Sequence, residues 1–252
     1  MRNSVSSLGA IALAAGVLLS VATPAQSRVV LTLQSGGTTL TCTNNNGVAQ
    51  GPCGAGFTLS GTTGILYSGS LNGFSIGLTV GISNLPGDPN GAFLTGSDTF
   101  VSRTGAGQAA LTIDLQAFGY LEPSSSNKTL FGASSFSSNT NWQATDSVVG
   151  QFAANASNVA PLLSHSAFNG YTTCTVTAST TSGRCDAPTV LWTDPVSPFS
   201  MRNRQTYTLS NGAIATATHS GTVQVPEPMT LSLVGAALLG AAVVSRRRNK
   251  SA

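Results

Sequence analysis

Apolar and polar residues alternate along much of this chain, and the period of the alternation is two. Phe74, Ile76, Leu78, Val80 and Ile82 fall on one side of an extended segment, with Ser75, Gly77, Thr79 and Gly81 on the other. Leu111, Ile113, Leu115 and Ala117 repeat the pattern, with Thr112, Asp114 and Gln116 opposite. Shorter stretches at 29–33, 40–43, 57–59, 65–67, 148–152, 171–177 and 190–192 read as further strands. Near the end, residues 206–210 and 213–219 flank Asn211-Gly212, a pair suited to a type I′ turn because both central residues need positive φ. Such a turn would place Leu209 opposite Ile214 on one face of a hairpin. Residues 85–91, with Pro86, Gly87, Pro89 and Gly91, read as a compact turn; the Ser- and Asn-rich stretches 123–127 and 134–141 read as loops. No window of 12 residues between 28 and 224 carries a 3.6-residue period. The pattern predicts an all-β chain, a β-sandwich or jelly-roll-like ectodomain forming one domain over residues 28–224.

The two ends break the pattern. Arg2 precedes an Ala/Leu/Val-rich run at 8–21, and the small residues Ala22, Thr23, Ala25 and Ser27 follow it. This is the layout of a secretory signal helix over residues 1–27, with cleavage after Ala25 or Ser27. At the other end, residues 225–252 contain Val225-Pro226-Glu227-Pro228, an apolar run and Arg246-Arg247-Arg248. Pro226 and Pro228 keep that segment extended and stop any strand or helix from running through it. The apolar residues 229–244 would measure about 24 Å as a helix, short for a hydrocarbon core of about 30 Å. Arginines reaching the interface extend the span, so a transmembrane helix is expected over 229–245. The three arginines place the tail in the cytoplasm and the β-rich body outside, the orientation the signal segment also predicts.

Charge changes little in the body. Only 8% of residues are charged and the formal net charge is +3, but Arg2, Arg246, Arg247, Arg248 and Lys250 stand at the ends. Arg28, Arg103, Lys128, Arg184, Arg202 and Arg204 face seven acids before the Pro-Glu-Pro, which leaves the body near neutrality and argues against a nucleic-acid partner. The four cysteines, Cys42, Cys53, Cys174 and Cys185, form two pairs of equal spacing in a chain with an export signal. Three connectivities are open. Local bridges Cys42–Cys53 and Cys174–Cys185 are expected, because each pair brackets turn-forming residues. The spacing is too long and too poor in histidine for zinc.

Candidate chemistry is sparse. Gly73-Phe74-Ser75-Ile76-Gly77 matches the nucleophile-elbow pattern, yet Ser75 lies inside an alternating strand where that elbow needs a strand-to-helix turn. His165 and His219 are the only histidines and have no acidic or cysteine neighbour in sequence. Asp88, Asn90 and Asp98 could offer oxygens to calcium, without a recognisable loop pattern. Trp142 and Trp192 are the candidate glycan contacts, with Tyr120, Tyr171 and Tyr207 as further rings. No catalytic residue, cofactor or metal site is assigned.

Val225-Pro226-Glu227-Pro228-Met229-Thr230-Leu231, the Gly/Ala/Leu-rich run and Arg246-Arg247-Arg248 together resemble the PEP-CTERM sorting signal of Gram-negative bacteria. The resemblance covers about a tenth of the chain, and Met229 departs from the small residue usual there. It implies that Pro226, Glu227 and Pro228 are recognised by a membrane-embedded exosortase, which cleaves near the motif, and that Arg246, Arg247 and Arg248 act as a stop-transfer signal. The bilayer is then a transient anchor. It also implies an inner-membrane precursor destined for the envelope or extracellular polymer, with exopolysaccharide as a partner. The expected function is a structural matrix protein without catalytic activity; the alternatives are a carbohydrate-binding module and, behind it, a secreted hydrolase.

Overall fold

The computed structural model describes residues 27–123, 128–138, 141–156, 158–160, 172–177, 182–186, 189–192 and 198–225. Strands dominate them and arrange into two facing antiparallel sheets. One layer runs, in spatial order, β11 (Thr172–Thr177), β10 (Ser147–Asn155), β14 (Phe199–Leu209), β8 (Ala109–Tyr120), β1 (Arg28–Ser35), β2 (Thr38–Asn45) and β3 (Val48–Gln50). The other runs β12 (Ser182–Asp186), β9 (Lys128–Ser138), β15 (Ile214–Gln224), β7 (Gly91–Arg103), β6 (Phe74–Ser83), β5 (Gly64–Leu71) and β4 (Phe57–Ser60), with β13 (Val190–Trp192) also on β9. The all-β, sandwich expectation holds. The signal segment and the Pro-Glu-Pro, apolar and basic tail lie outside the described residues; among those described, no helix is long and apolar enough to cross a membrane.

Alternation places one face of each strand in the interior. Val29, Leu31 and Leu33 of β1 and Leu111, Ile113, Leu115 and Ala117 of β8 meet Phe74, Ile76, Leu94, Val101, Leu130 and Val223 from the other layer. Burying such side chains contributes about 1.5–3 kcal/mol each. Glycines let the layers close up. A Cβ at Gly221 would sit 1.8 Å from the Phe152 ring, and one at Gly81 would sit 2.4 Å from Leu115. Asn44 is buried between the layers, where its amide donates to Gly61 O (3.0 Å) and Gly64 O (2.8 Å) and its oxygen accepts the Gly47 N–H (2.7 Å). A buried amide satisfied on both sides ties β2 to the β4–β5 turn at little net cost.

Three sequence expectations are corrected. The alternation of β6 does not run through: Phe74 and Ile76 point inward, but further along Thr79 and Ser83 are the buried residues and Ile82 is exposed. The inward position at Gly81 is filled from the opposite layer by Leu115, so the apolar phase can reverse without leaving a void. The Ser-rich stretch at 134–138 is strand, not loop, because β9 is paired on both sides, to β15 and to β12. Most consequentially, Asn211-Gly212 closes no hairpin. β14 pairs with β8 and β10, whereas β15 pairs with β7 and β9, so this turn carries the chain from one layer to the other. Only Gly212 has positive φ (81°), and Ala213 N–H donates to Ser210 O at 3.0 Å, as in a type II turn. The turn is held from outside: Gly212 N–H donates to Arg103 O (2.8 Å), Arg103 N–H to Ala213 O (3.0 Å), and Ser210 N–H to Asp146 Oδ1 (2.7 Å).

Candidate functional site

The residue types able to do acid–base or nucleophilic chemistry are drawn between the layers. Asp98 on β7 is buried and accepts a hydrogen bond from the Tyr207 hydroxyl on β14. Gln205, with its amide oriented to satisfy both neighbours, donates to Asp98 Oδ2 at 2.5 Å and accepts the backbone N–H of His219 at 3.2 Å. Asn203 donates to His219 O at 2.5 Å, and the Ser134 hydroxyl is bonded to His219 Nδ1. Burial pushes the Asp98 carboxyl up to about 6, over the opposing pull of the Tyr207 and Thr79 hydroxyls. Burial likewise pushes the Tyr207 phenol up, helped by the Asp98 charge. His219 is pushed down to about 4 by burial, against the pull of the Gln151 and Ala133 backbone, so its ring is neutral at neutral pH.

A hydroxyl bonded to a neutral imidazole is the arrangement that activates a serine nucleophile. On the interior side, where the two groups meet, the facing layer leaves no space for an acyl group. Gly150 of the facing layer packs against the pair, and a single added Cβ there would sit 2.5 Å from Ser134 Oγ and 2.8 Å from His219 Nδ1. The polar row therefore works as an inter-layer tie.

The other sequence candidates disperse. Ser75 is the second residue of β6, paired between Ser70 and Ser102, and strand rather than helix follows it. His165 and Tyr171 lie outside the described residues. Asp88 is exposed and its Oδ1 accepts the N–H groups of Asn90 (2.8 Å) and Gly91 (3.0 Å), a local turn. Asp98 stands seven residues into β7 from Gly91, about 20 Å away at the strand rise, so these oxygens do not converge on one ion. Trp192 is a correction: at 2% exposure its ring is buried edge-on against Phe199 (5.4 Å) and beside Lys128 Nζ (5.1 Å), and it offers no face to a sugar. Burial pulls the Lys128 ammonium down, with Glu122 opposing. Trp142 is half-buried, stacked on Phe136 at 6.5 Å, and its Nε1–H donates to Ile214 O at 2.8 Å. Tyr120 and Tyr207 are core residues. The Cys42–Cys53 disulfide is present; the side chain of Cys174 and that of Cys185 lie outside the described set.

Among the described residues, a cavity of about 170 Å³ opens to solvent on the outer side of β9, β12 and β15, lined by Ala133, Ser134, Ser135, Arg184, Thr218 and Ser220. Thr218 Oγ1 is bonded to Ser97 Oγ at 3.1 Å, which continues the hydroxyl row onto β7. Arg184 is 69% exposed at its side chain and pairs with Asp186 at 2.9 Å. The lining supplies many hydrogen-bond donors and acceptors and one ion pair that balances its own charge. Sequence reading passes over these residues because serine and threonine in a Ser/Thr-rich chain carry no distinctive spacing. Only the pairing of β9 with β12 and β15 brings them together.

No protein-family model matches the chain, and no curated protein matches it. Among solved structures it is similar to the carbohydrate-binding module TmCBM61 in complex with β-1,4-galactotriose, at 9% identity over 62% of this chain and 86% of that one, with a TM-score of 0.23. It is similar to carbohydrate-binding modules described as promiscuous members of the β-sandwich superfamily, at 13% identity over 77% and 72%, TM-score 0.24. It is also similar to a structure of infectious bursal disease virus Gx strain, at 12% identity, TM-score 0.29, covering 90% of this chain but 54% of that one. Likenesses of this size carry no inference about ligand or activity.

Proposed function

We propose that this chain is an exported, exosortase-sorted β-sandwich with a structural role in the cell envelope or extracellular polymer. The observation that carries the reading is the PEP-CTERM-like tail, together with its place relative to the fold. β15 ends at Gln224, the Val225 N–H donates to Asn90 O at 3.2 Å, and Pro226 follows at once. The sorting motif thus starts two residues after the last strand of the sandwich ends. Cleavage beside it would release the whole sandwich without cutting a strand, and the bilayer would hold only the precursor. A structural role is supported by the enclosure of Asp98, Tyr207, Ser134 and His219 between the layers.

Replacing Pro226, Glu227 and Pro228 with alanine in a host that carries an exosortase tests the sorting. The expected result is retention of the larger precursor in the inner membrane and loss of the released form, read by intact mass and fractionation. Unchanged size, retention and release would overturn the reading.

A second reading, a carbohydrate-binding module acting in that polymer, is favoured by the hydroxyl-lined cavity on β9, β12 and β15, which has room for about one sugar ring. Filling it with Ser220→Phe should abolish any binding seen on a glycan array while Trp192→Ala acts only through stability. Binding that survives Ser220→Phe would place the sugar elsewhere.

A further inference from the structure

We propose that the outer face of β1, β8 and β14 is a docking surface for a carboxylate-bearing polysaccharide. This face lies on the opposite side of the sandwich from the hydroxyl-lined cavity. Along the seven strands of its sheet the only charged residues are Arg28, Asp114, Arg202 and Arg204. Register gathers them. Arg204 is opposite Asp114 and Arg202 is opposite Gln116, while Arg28 is opposite Phe118 from the other side of β8.

Asp114 is one carboxylate between two guanidiniums. Arg202 Nε reaches its Oδ1 at 2.9 Å and Arg202 Nη2 its Oδ2 at 2.5 Å, while Arg204 Nε and Nη2 reach Oδ2 at 2.8 and 2.5 Å. The carboxylate side chain is 5% exposed, that of Arg202 15% and that of Arg204 31%. Asp114 is spent inside the cluster and can cancel only one of the arginines. Arg28, exposed, lies over the Phe118 ring at 4.3 Å and faces no acid among the described residues. Among the described strand residues three arginines stand against one acid on this face, whereas the charged residues exposed on strands of the other layer, Arg184 and Asp186, cancel.

The kind of positive charge selects the anion. Guanidinium forks match the planar geometry of carboxylates, and Asp114 held between Arg202 and Arg204 is an internal example of the contact. Thr32 and Thr41, bonded to each other at 3.2 Å, and Gln116, whose amide donates to Asp114 Oδ1 at 3.3 Å, border the cluster with hydroxyl and amide groups of the kind that also meet sugar hydroxyls. Two other polyanions fit less well. The body's acids outnumber its bases, and Phe118, the aromatic on this face, is covered by Arg28, so a single-stranded nucleic acid would find no ring to stack on. A lipid surface would want exposed apolar side chains, and among the described side chains on this sheet's strands the one large exposed hydrophobic is Val48, on the far edge strand β3.

The inference deepens the proposed role by naming a polymer class, and rests on export only for where that polymer is met. Binding by the purified full chain in detergent needs no exosortase, so binding and sorting can fail separately. Polygalacturonate is the probe, with dextran as the neutral control. Arg204→Gln, which leaves Asp114 paired with Arg202, should weaken polygalacturonate binding about tenfold, the worth of one charge-assisted bond. Arg28→Gln should weaken it in the same direction. Raising salt from about 0.05 to about 0.5 M should weaken it too. Ser70→Asp on β5 of the other layer makes the same change in net charge and should leave affinity within twofold. Thermal unfolding of each variant separates lost binding from lost fold; should Arg204→Gln fail to fold, Arg28→Gln decides. The proposal is overturned if both arginine variants bind as wild type, if Ser70→Asp is as damaging as they are, or if dextran binds equally well. Equal or tighter binding of oligo(dT) or of phosphatidylglycerol vesicles would overturn it as well, since the face would then be a general polyanion surface.

Discussion

The Gln205 amide links the Asp98 carboxylate to the His219 backbone N–H, and the Asp98 and His219 side chains respond to protons in opposite senses. The Asp98 pKa is raised from 3.8 to about 6, so the folded state holds its proton more tightly than the unfolded chain. Its contribution to stability is full below about 4 and is lost as pH rises through about 6. The His219 pKa is lowered from 6.5 to about 4, so its contribution is full above about 6.5 and is lost as pH falls through about 4. Each is on the order of 3 kcal/mol, and the windows overlap. Wild-type stability should therefore be nearly level between about pH 4 and 6.5. Asp98→Asn removes one member, and its stability should fall on acidification through that window. His219→Gln removes the other, and its stability should fall as pH rises. Urea midpoints measured across the window check this; two variants with the same slope would refute the opposed pair. In the sequence alone Asp98 and His219 stand apart, one a candidate calcium oxygen and the other a lone base. The row that joins them needs β7, β14 and β15 brought face to face.

At the scale of elements, the turn chemistry was in the sequence but pointed to the wrong place. Gly36-Gly37, Asn46-Gly47 and Asn72-Gly73 all have positive φ at both residues and close the β1–β2, β2–β3 and β5–β6 hairpins. Asn211-Gly212 is the same kind of signal and serves a crossing between layers, because Arg103 and Asp146 supply the hydrogen bonds that a hairpin partner would have supplied. Strand placement also bears on the second cysteine pair. Cys174 lies opposite Gly150 on β10, and Cys185 lies opposite Ser134 on β9. Gly150 and Ser134 are themselves in contact across the interior. Register thus sets the two cysteine positions on edge strands of different layers, β11 and β12. Peptide mapping without reduction should recover 174 joined to 185, and the Cys174→Ser/Cys185→Ser variant should lose about 2–4 kcal/mol. A peptide joining either to Cys42 or Cys53 would refute it.

For the whole molecule, export, orientation, the sorting motif and an all-β body are expectations that local signals raise: a hydrophobic run with small residues after it, a proline-bounded motif before a basic tail, alternation of period two. Of these the structure bears on the β-body, and there alternation marked the strands, though the inward face of β6 beyond Ile76 was set by Leu115 of the other layer. Two kinds of information were not local. Which layer a strand joins depends on partners far along the chain, as β14 and β15 show by parting at Gly212. Which polar residues meet depends on register, as Arg202, Arg204 and Asp114 show: spacing of two put the arginines on one face, but 88 residues separate Arg202 from Asp114. Trp192 made the same point in reverse, since composition suggested a sugar platform and packing between Phe199 and Lys128 made it core. Residue order alone determined that this chain forms two-faced strands and, as an expectation, where it is sent. Tertiary structure decided which faces are hidden, which charges are left over, and where a ligand has room, because burial and charge balance are properties of neighbours that only folding brings together.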